Sequence, residues 1–159
     1  MQTFEYSSSA KLIYRYGNFI ITPLLSVHLV SSIFLVMKEW YFIILAVINL
    51  TILIITNVYY IKTYRLFPFK IITDNEKMIC SNFFLSKKKI EIKHADISKI
   101  DGGIFSAYPT RPIYITDGKN NITVGFYSHV SKFQKLLTII LSNIPQKLYN
   151  DLIDKIKKK

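Results

Sequence analysis

Two long runs of apolar residues occupy the first part of the chain. Residues 19–37 and 40–61 contain no formally charged side chain and are dominated by Ile, Leu and Val. Helices over these runs would be about 28 and 33 Å long, and the hydrocarbon core of a bilayer is about 30 Å thick. The pattern therefore predicts two transmembrane helices, joined by a tight turn at Lys38 and Glu39.

After residue 61 the apolar residues fall into short runs separated by turn residues. Residues 89–93, for example, alternate Lys and Glu with Ile90 and Ile92, which is the period of a half-buried strand. Helical spacing returns near the C-terminus, where Ser128 or Ser131 could cap a helix and Pro145 could begin another. The predicted strands cover 66–73, 77–85, 89–93, 97–104, 113–116 and 121–127.

These patterns predict four parts and an α+β, mainly β, fold behind a membrane hairpin. The parts are an N-terminal segment (1–18), a two-helix hairpin (19–61), a small antiparallel domain (62–144) and a basic amphipathic helix (145–159). An apolar face at helical spacing is expected to lay the first C-terminal helix on the sheet. It consists of Val130, Phe133, Leu137, Ile140 and Ile144.

Charge is distributed unevenly along the 159 residues. The whole chain has a formal charge of +11, and residues 62–159 hold eighteen of its 21 basic residues and eight of its 10 acidic ones. Basic residues on both outer flanks of the hairpin, Lys11, Arg15, Lys62 and Arg65, predict a multi-pass protein of the inner membrane with both termini in the cytoplasm. One cysteine excludes a disulfide scaffold, and the many aliphatic residues exclude a disordered chain.

Two polar residues interrupt the predicted spans at matching depth. His28 lies ten positions before Lys38, and Asn49 lies ten after Glu39. We expect a hydrogen bond between them that holds the helices together, because such pairs contribute about 0.6 to 2 kcal/mol. A proton relay is the less favoured alternative, since two helices do not enclose a pore and no carboxylate joins the pair.

The segment from residue 66 to about 144 resembles the bacterial pleckstrin-homology-like domains of small membrane proteins. The similar stretches are FKIITD at 69–74, KIEIKHADISKI at 89–100, and the last strand with its following helix. Ala95 departs from the aromatic residue that the family often has there. The resemblance implies a sandwich or partly closed barrel capped by a helix, used for lipid or protein contact rather than catalysis.

Eukaryotic relatives of that family bind phosphoinositides through basic residues around the first strand turn. Here the turn contains Asp74, Asn75 and Glu76, whose charge would repel a phosphorylated headgroup. A specific phosphoinositide pocket is therefore not expected. No nucleic-acid-binding motif accompanies the basic charge, so nucleic acid is not an expected partner.

Scarce reactive residues offer little basis for an enzyme. Cys80 lies in an apolar strand, His94 and Asp96 lie in a predicted turn, and His129 stands apart from them. No ligands fall at a metal-site spacing, and no phosphate or dinucleotide motif is present. The prediction is a protein that is not an enzyme, with no catalytic residues, cofactor or metal. A membrane-bound hydrolase using Cys80 or His94 is a distant alternative.

Two features are candidate contact sites. The first is the set of basic runs, which would attract anionic membrane lipids nonspecifically: Lys87, Lys88, Lys89, Lys155, Lys157, Lys158 and Lys159. The second is the stiff loop around residues 105–112, where Phe105, Tyr108 and Arg111 could contact a partner or headgroup.

The sequence favours a membrane-anchored interaction or assembly module, with an unidentified protein partner and self-association left open. The alternative is an immunity or resistance protein that protects against a membrane-active or secreted toxin. A toxin gene beside the gene for this protein would favour the alternative.

Overall fold

The computed structural model describes residues 1–106 and 111–157. Two compact units divide the chain. The helical unit is Lys11–Tyr64, and the sheet unit combines Met1–Ala10 with Arg65–Lys159. The sheet unit is therefore built from two separate stretches of sequence, with the helical unit inserted between them.

Two long apolar helices form the helical unit. A short helix, α1 (Ser8–Lys11), and a π-helical turn at Leu12–Tyr16 precede α2 (Gly17–Val36), and a 3-10 turn at Trp40–Phe42 precedes α3 (Ile43–Leu66). Over Ser8–Val36 and Trp40–Leu66 the chain is long and apolar enough to cross a membrane. The two apolar helices are thus confirmed.

The second helix is longer than predicted. The charges at Lys62 and Arg65 mark the end of the apolar run, but α3 continues through both to Leu66. Charge limits the hydrophobic thickness of a helix, whereas helical hydrogen bonds continue through basic residues of good helix propensity. The predicted strand at 66–73 accordingly begins four residues late, at Lys70.

The first sheet has four antiparallel strands. They are β1 (Gln2–Glu5), β2 (Lys70–Thr73), β3 (Lys77–Ser81) and β4 (Ile90–Lys93), hydrogen-bonded in that order. Strands β2, β3 and β4 lie where the alternating pattern predicted them. Each is shorter than predicted, because the predicted segments also took in residues of the neighbouring helix end or loop.

Strand β1 is an addition that the sequence did not indicate. The N-terminal segment 1–18 was expected to lie outside the domain, yet Glu5 lies opposite Lys70 and Gln2 opposite Thr73. Phe4 and Tyr6 are buried in the core, and the Tyr6 hydroxyl accepts a hydrogen bond from the Tyr127 backbone at 2.9 Å. Four residues separated from their neighbouring strand by about sixty others leave no local signal of pairing.

The second sheet has three antiparallel strands, β5 (Ile97–Gly102), β6 (Ile113–Asp117) and β7 (Ile122–Phe126), in sequence order. The predicted hairpin across residues 117–120 is present, since Asp117 Oδ1 accepts hydrogen bonds from the backbones of Lys119 and Asn120. Among the described residues the two sheets do not join into a closed barrel. An isolated antiparallel bridge joins Tyr6 and Val130 outside the strands.

Two helices complete the unit, α4 (Phe133–Asn143) and α5 (Gln146–Lys157). Leu136, Leu137 and Ile140 of α4 are buried, as its apolar spacing predicted in part. The predicted serine cap is wrong: Lys132 precedes α4 with left-handed φ and makes no side-chain cap. Ser131 instead bonds β1, accepting from the Glu5 amide at its Oγ and donating its own amide to the Glu5 carbonyl.

Candidate functional site

The strand register defines two ends of the sheet unit. The chain leaves β1 at Glu5 for the helices and returns into β2 at Lys70, and these residues lie opposite each other. Ser81, the last residue of β3, lies opposite Lys70, so the loop 82–89 is at this same end. We call it the connecting end. The opposite end, with the turn 74–76 between β2 and β3, is the distal end.

Aromatic packing brings the second sheet into the same frame. Phe67, just before β2, stacks on Tyr127 with ring centroids 5.0 Å apart, and its ring meets Tyr114 at 6.0 Å. Tyr127 follows the end of β7, where Phe126 lies opposite Ile113. The described residues between β5 and β6, 103–106 and 111–112, are therefore at the connecting end, and the turn 117–121 is at the distal end.

Several of the candidate lysines lie at the connecting end. Lys87, Lys88 and Lys89 occupy the loop 82–89 and are exposed. Helix α5 packs against β5 and the 3-10 turn Gly103–Ser106, which places its last turn, with exposed Lys155 and Lys157, at the same end. Lys158 and Lys159 lie outside the described residues. The structure thus brings together two basic runs that are about seventy residues apart in sequence.

The distal end has acidic turns. Asp74 Oδ1 accepts hydrogen bonds from the backbones of Lys77 and Glu76, which lower the pKa of that carboxyl. Burial by itself would raise the pKa of Asp117, but hydrogen bonds from Asn120 and the Lys119 backbone outweigh it and lower the pKa. Both carboxylates are therefore ionised near neutral pH and stabilise their own turns. Their role is accounted for by turn structure.

His94 is a buried imidazole at the distal end. Its Nε2 lies 2.9 Å from the Asp74 carbonyl oxygen and 3.1 Å from Thr73 Oγ1. A carbonyl can only accept, so Nε2 carries the proton and Nδ1 is left as a buried acceptor without a partner among the described residues. Burial lowers the pKa of His94, opposed by its contact with Asp74. The neutral ring ties β4 to the turn between β2 and β3.

The predicted contact loop is only partly a surface. Phe105 is 5% exposed and belongs to the core, so its assignment as a contact residue is wrong. Gly102 and Gly103 have φ of 84° and 50°, and this left-handed bend turns the following aromatic side chain inward. Arg111 is exposed, whereas Tyr108 lies outside the described residues.

The scarce reactive side chains are not assembled into a catalytic group. Cys80 lies in β3 opposite Ile71 and Ile90, and burial raises the pKa of its thiol to about 12. His94 makes its ring contacts with Thr73 and Asp74 instead. His129 is exposed on the segment before α4. Within residues 1–106 and 111–157, no three His, Cys, Asp or Glu side chains group as metal ligands.

Some polar side chains of the helical unit bond each other across its two long helices. Asn49 Nδ2 donates to Ser32 Oγ at 2.6 Å, and Ser32 Oγ donates to the His28 carbonyl oxygen at 2.8 Å. The predicted partner of Asn49 is therefore wrong, because the His28 side chain is exposed on the outer face of α2. Ser32 lies one turn further along, and its small side chain allows close approach of the helices.

A second polar cluster in the helical unit escaped sequence analysis. Thr22 Oγ1 donates to Asn18 Oδ1 at 2.8 Å and lies 3.3 Å from Asn57 Oδ1. Asn18 and Thr22 are one helical turn apart, a spacing that could have indicated a shared face. The matching Asn57 is near the other end of the hairpin, so the two clusters together join α2 and α3 at two levels.

Comparison with known protein-family models, with curated proteins and with solved structures found no match. The fold defines a class of protein with two long apolar helices and a small domain of two antiparallel sheets and C-terminal helices.

Proposed function

We propose that this chain is a membrane-anchored, non-enzymatic interaction module whose sheet unit works at the cytoplasmic surface of the inner membrane. The observation that carries the proposal is the insertion of the apolar hairpin between two paired strands, β1 and β2. A hairpin at one terminus would be a single tether. Here the sheet unit is joined to the hairpin at both of its chain connections.

Both connections are short. Strand β1 ends at Glu5 and α1 begins at Ser8, while α3 ends at Leu66 and β2 begins at Lys70. Because β1 and β2 are hydrogen-bonded neighbours, two spanning helices would enter and leave the bilayer on the same side, in agreement with their even number. The sheet unit would then be held within a few residues of the lipid, which suits a surface-bound module.

Charge supports the cytoplasmic side. Lys11, Arg15, Lys62 and Arg65 flank the outer ends of the hairpin, whereas the turn has Lys38 beside Glu39. Short flanking segments with excess Lys and Arg remain in the cytoplasm. The buried thiol of Cys80 and the dispersed reactive groups give no support to a hydrolase. Immunity against a toxin stays a prediction from the sequence.

Single added cysteines test the anchoring and its direction. Because Cys80 is buried, Lys38→Cys and Asn75→Cys each supply the one accessible thiol. In intact cells an impermeant maleimide should label position 38 and spare position 75, and both should label after the membrane is permeabilised. Labelling of position 75 but not of position 38 in intact cells would show the opposite topology. Extraction of the protein by alkaline carbonate would show that the chain is not anchored in the membrane.

A photo-crosslinker tests the interaction role. Placed at exposed Ala95 on the distal end, it should yield a discrete adduct with a protein in living cells. The matched control is the same probe at Ile55, on the apolar outer face of α3, which should give lipid adducts. Absence of any protein adduct from Ala95 and other exposed positions of the sheet unit would contradict an interaction module.

A further inference from the structure

The exposed apolar side chains of the sheet unit gather at its connecting end. Outside the helical unit, and within the described residues, four large apolar side chains are exposed: Met1, Leu85 (85%), Ile104 (43%) and Ile156 (44%). Leu85 lies in the loop 82–89, Ile104 in the turn between β5 and β6, and Ile156 in the last turn of α5. All except Met1 are therefore at one end, on three separate elements.

The loop 82–89 holds Leu85 outward while anchoring its neighbours. Phe83 and Phe84 are buried, and the Ser86 amide donates to the Phe83 carbonyl oxygen at 3.3 Å. Leu85 has φ of 53°, a left-handed conformation that is uncommon for a bulky residue. The backbone of the loop 82–89 thus turns at Leu85, where this exposed apolar side chain points away from the core.

Cations accompany these apolar side chains. The segments 82–89, 103–112 and 155–159 contain no acidic residue, and they include Lys87, Lys88, Lys89 and Lys155. The carboxylates beside these segments are fewer than the cations: Glu5 lies 3.9 Å from Lys70, Asp101 lies 3.1 Å from Lys99, and exposed Asp154 precedes Lys155 in the last turn of α5. At the distal end, by contrast, the acidic residues Asp74, Glu76, Asp96 and Asp117 outnumber the cations Lys77, Lys93 and Lys119. The sheet unit is therefore electrically polar along its strands.

We propose that the connecting end docks onto the surface of an anionic lipid bilayer, with Leu85, Ile104 and Ile156 entering the interface and the lysines contacting headgroups. Exposed apolar side chains and cations at one end of the unit match a bilayer surface, which is apolar within and anionic at its headgroups. A nucleic acid backbone would satisfy the charge but leave the three apolar side chains in water.

This inference rests on the proposed function, because the hairpin brings the connecting end to the lipid. The chain enters and leaves the helices at this end of the sheet unit, which is the end that has the docking residues. Each Lys at an anionic membrane raises the ratio of docked to undocked protein about fivefold, so three of them raise that ratio by on the order of a hundredfold.

A depth-sensitive fluorophore tests the docking in the full-length protein. Leu85→Cys is labelled with an environment-sensitive dye, while buried Cys80 stays unlabelled. The protein is reconstituted in vesicles of phosphatidylcholine, with or without phosphatidylglycerol, containing a headgroup-spin-labelled quencher. With phosphatidylglycerol the dye should be blue-shifted and quenched. The matched control, Asn75→Cys at the exposed distal turn, should report water in both vesicles.

Charge is separated from position by a second variant. The triple variant Lys87→Gln, Lys88→Gln, Lys89→Gln should lower the ratio of docked to undocked protein, reported at position 85, by on the order of a hundredfold. Raised salt should lower the same ratio. Substitution of Lys93 and Lys119 by Gln, toward the distal end, should leave it unchanged. Unreactive Cys80 in each variant shows that the sheet unit remains folded.

Three outcomes would overturn the docking. The first is a dye at position 85 that still reports water in anionic vesicles, and the second is equal quenching at positions 85 and 75. The third is a dye at position 85 that is shielded from water by added nucleic acid but not by lipid. Flotation of the protein with neutral vesicles after a carbonate wash tests the anchor separately. If flotation persists and position 85 stays in water, the docking fails alone; if flotation is lost, both proposals fail.

Discussion

In the sheet unit Ile115, Val124 and Phe126 are fully buried, whereas Ile44, Val47 and Phe34 of the helical unit are each more than half exposed. Some polar side chains of the helical unit show the reverse arrangement. In the helical unit Ser32 is 2% exposed and bonds Asn49 across the two helices. The same residue types therefore pack in opposite senses within one chain.

This difference is the one that folding in two different solvents, water and lipid, would produce. Water drives apolar side chains together, so a water-soluble fold hides them. Lipid gives no such drive between helices, and packing of small residues and interhelical hydrogen bonds hold them together instead. The outward Ile and Val of α2 and α3 and the inward Ser32 and Asn49 fit the second solvent.

The largest expected effect contrasts two phenylalanines. Phe4→Ala removes a buried ring of β1 and should destabilise the sheet unit by about 3–5 kcal/mol. Phe34→Ala removes an exposed ring of α2 and should leave the sheet unit unchanged. Labelling of buried Cys80 in detergent measures opening of the sheet. Equal labelling rates in both variants would contradict the place of β1 in the core.

A charge on the outer face of α3 tests the helical unit. Ile55→Asp places a carboxylate near the middle of the apolar span, where insertion into a bilayer costs about 2.5–3.5 kcal/mol. We expect a smaller carbonate-resistant fraction than for the wild type, and no change for the matched Ile55→Val. An unchanged fraction for the aspartate variant would mean that this face does not meet lipid.

The hydrogen bond across the helices has a smaller expected effect. Asn49→Val removes the donor to Ser32 and should weaken the hairpin by about 0.6–1.7 kcal/mol, measured by detergent-induced unfolding with Trp40 fluorescence. Thr51→Val is the control, because Thr51 bonds only the Val47 carbonyl of its own helix at 2.8 Å. If both variants lose the same stability, the bond across the helices contributes nothing specific.

The smallest effect at neutral pH concerns His94. Burial keeps its folded pKa below the value of about 6.5 expected in the unfolded chain. Below that pH the unfolded state therefore binds a proton that the folded state resists, and the free energy of unfolding falls as the pH falls. Above it both states are neutral and the dependence disappears.

Labelling of Cys80 from about pH 7.5 to 5 measures this dependence. Relative to His94→Gln, the wild type should label progressively faster on the acid side once the two rates are normalised at neutral pH. The thiol chemistry is common to both proteins and cancels in the ratio. A ratio that is flat across the range would show that protonation of His94 does not destabilise the sheet unit.

Much of the fold was predictable where the signal is local. The apolar runs located α2 and α3, and alternation such as Ile90 and Ile92 in β4 located the strands. The turn after β6 was also predictable from its own residues, because Asp117 accepts hydrogen bonds from the backbone two and three residues ahead. Predictions were wrong where one side chain can make alternative hydrogen bonds. Ser131 was predicted as a possible helix cap, but its hydroxyl accepts a hydrogen bond from the Glu5 amide of β1.

The candidate site was less predictable. The basic runs at 87–89 and 155–157 were visible in the sequence, but their meeting at one end depends on the register of two sheets and the packing of α5. Phe105 was expected at the surface because a loop aromatic carries no sign of its direction, and the glycine bend before it turns it into the core.

The sequence by itself determined the two apolar helices, six of the seven strands and the basic character of the C-terminal part, because length, periodicity and charge are properties of neighbouring residues. Only the tertiary structure decided that Gln2–Glu5 pairs with β2 across the hairpin and that Leu85, Ile104 and Ile156 share one end. Those placements depend on contacts between residues far apart in the chain, whose free energy is realised only when both partners are folded.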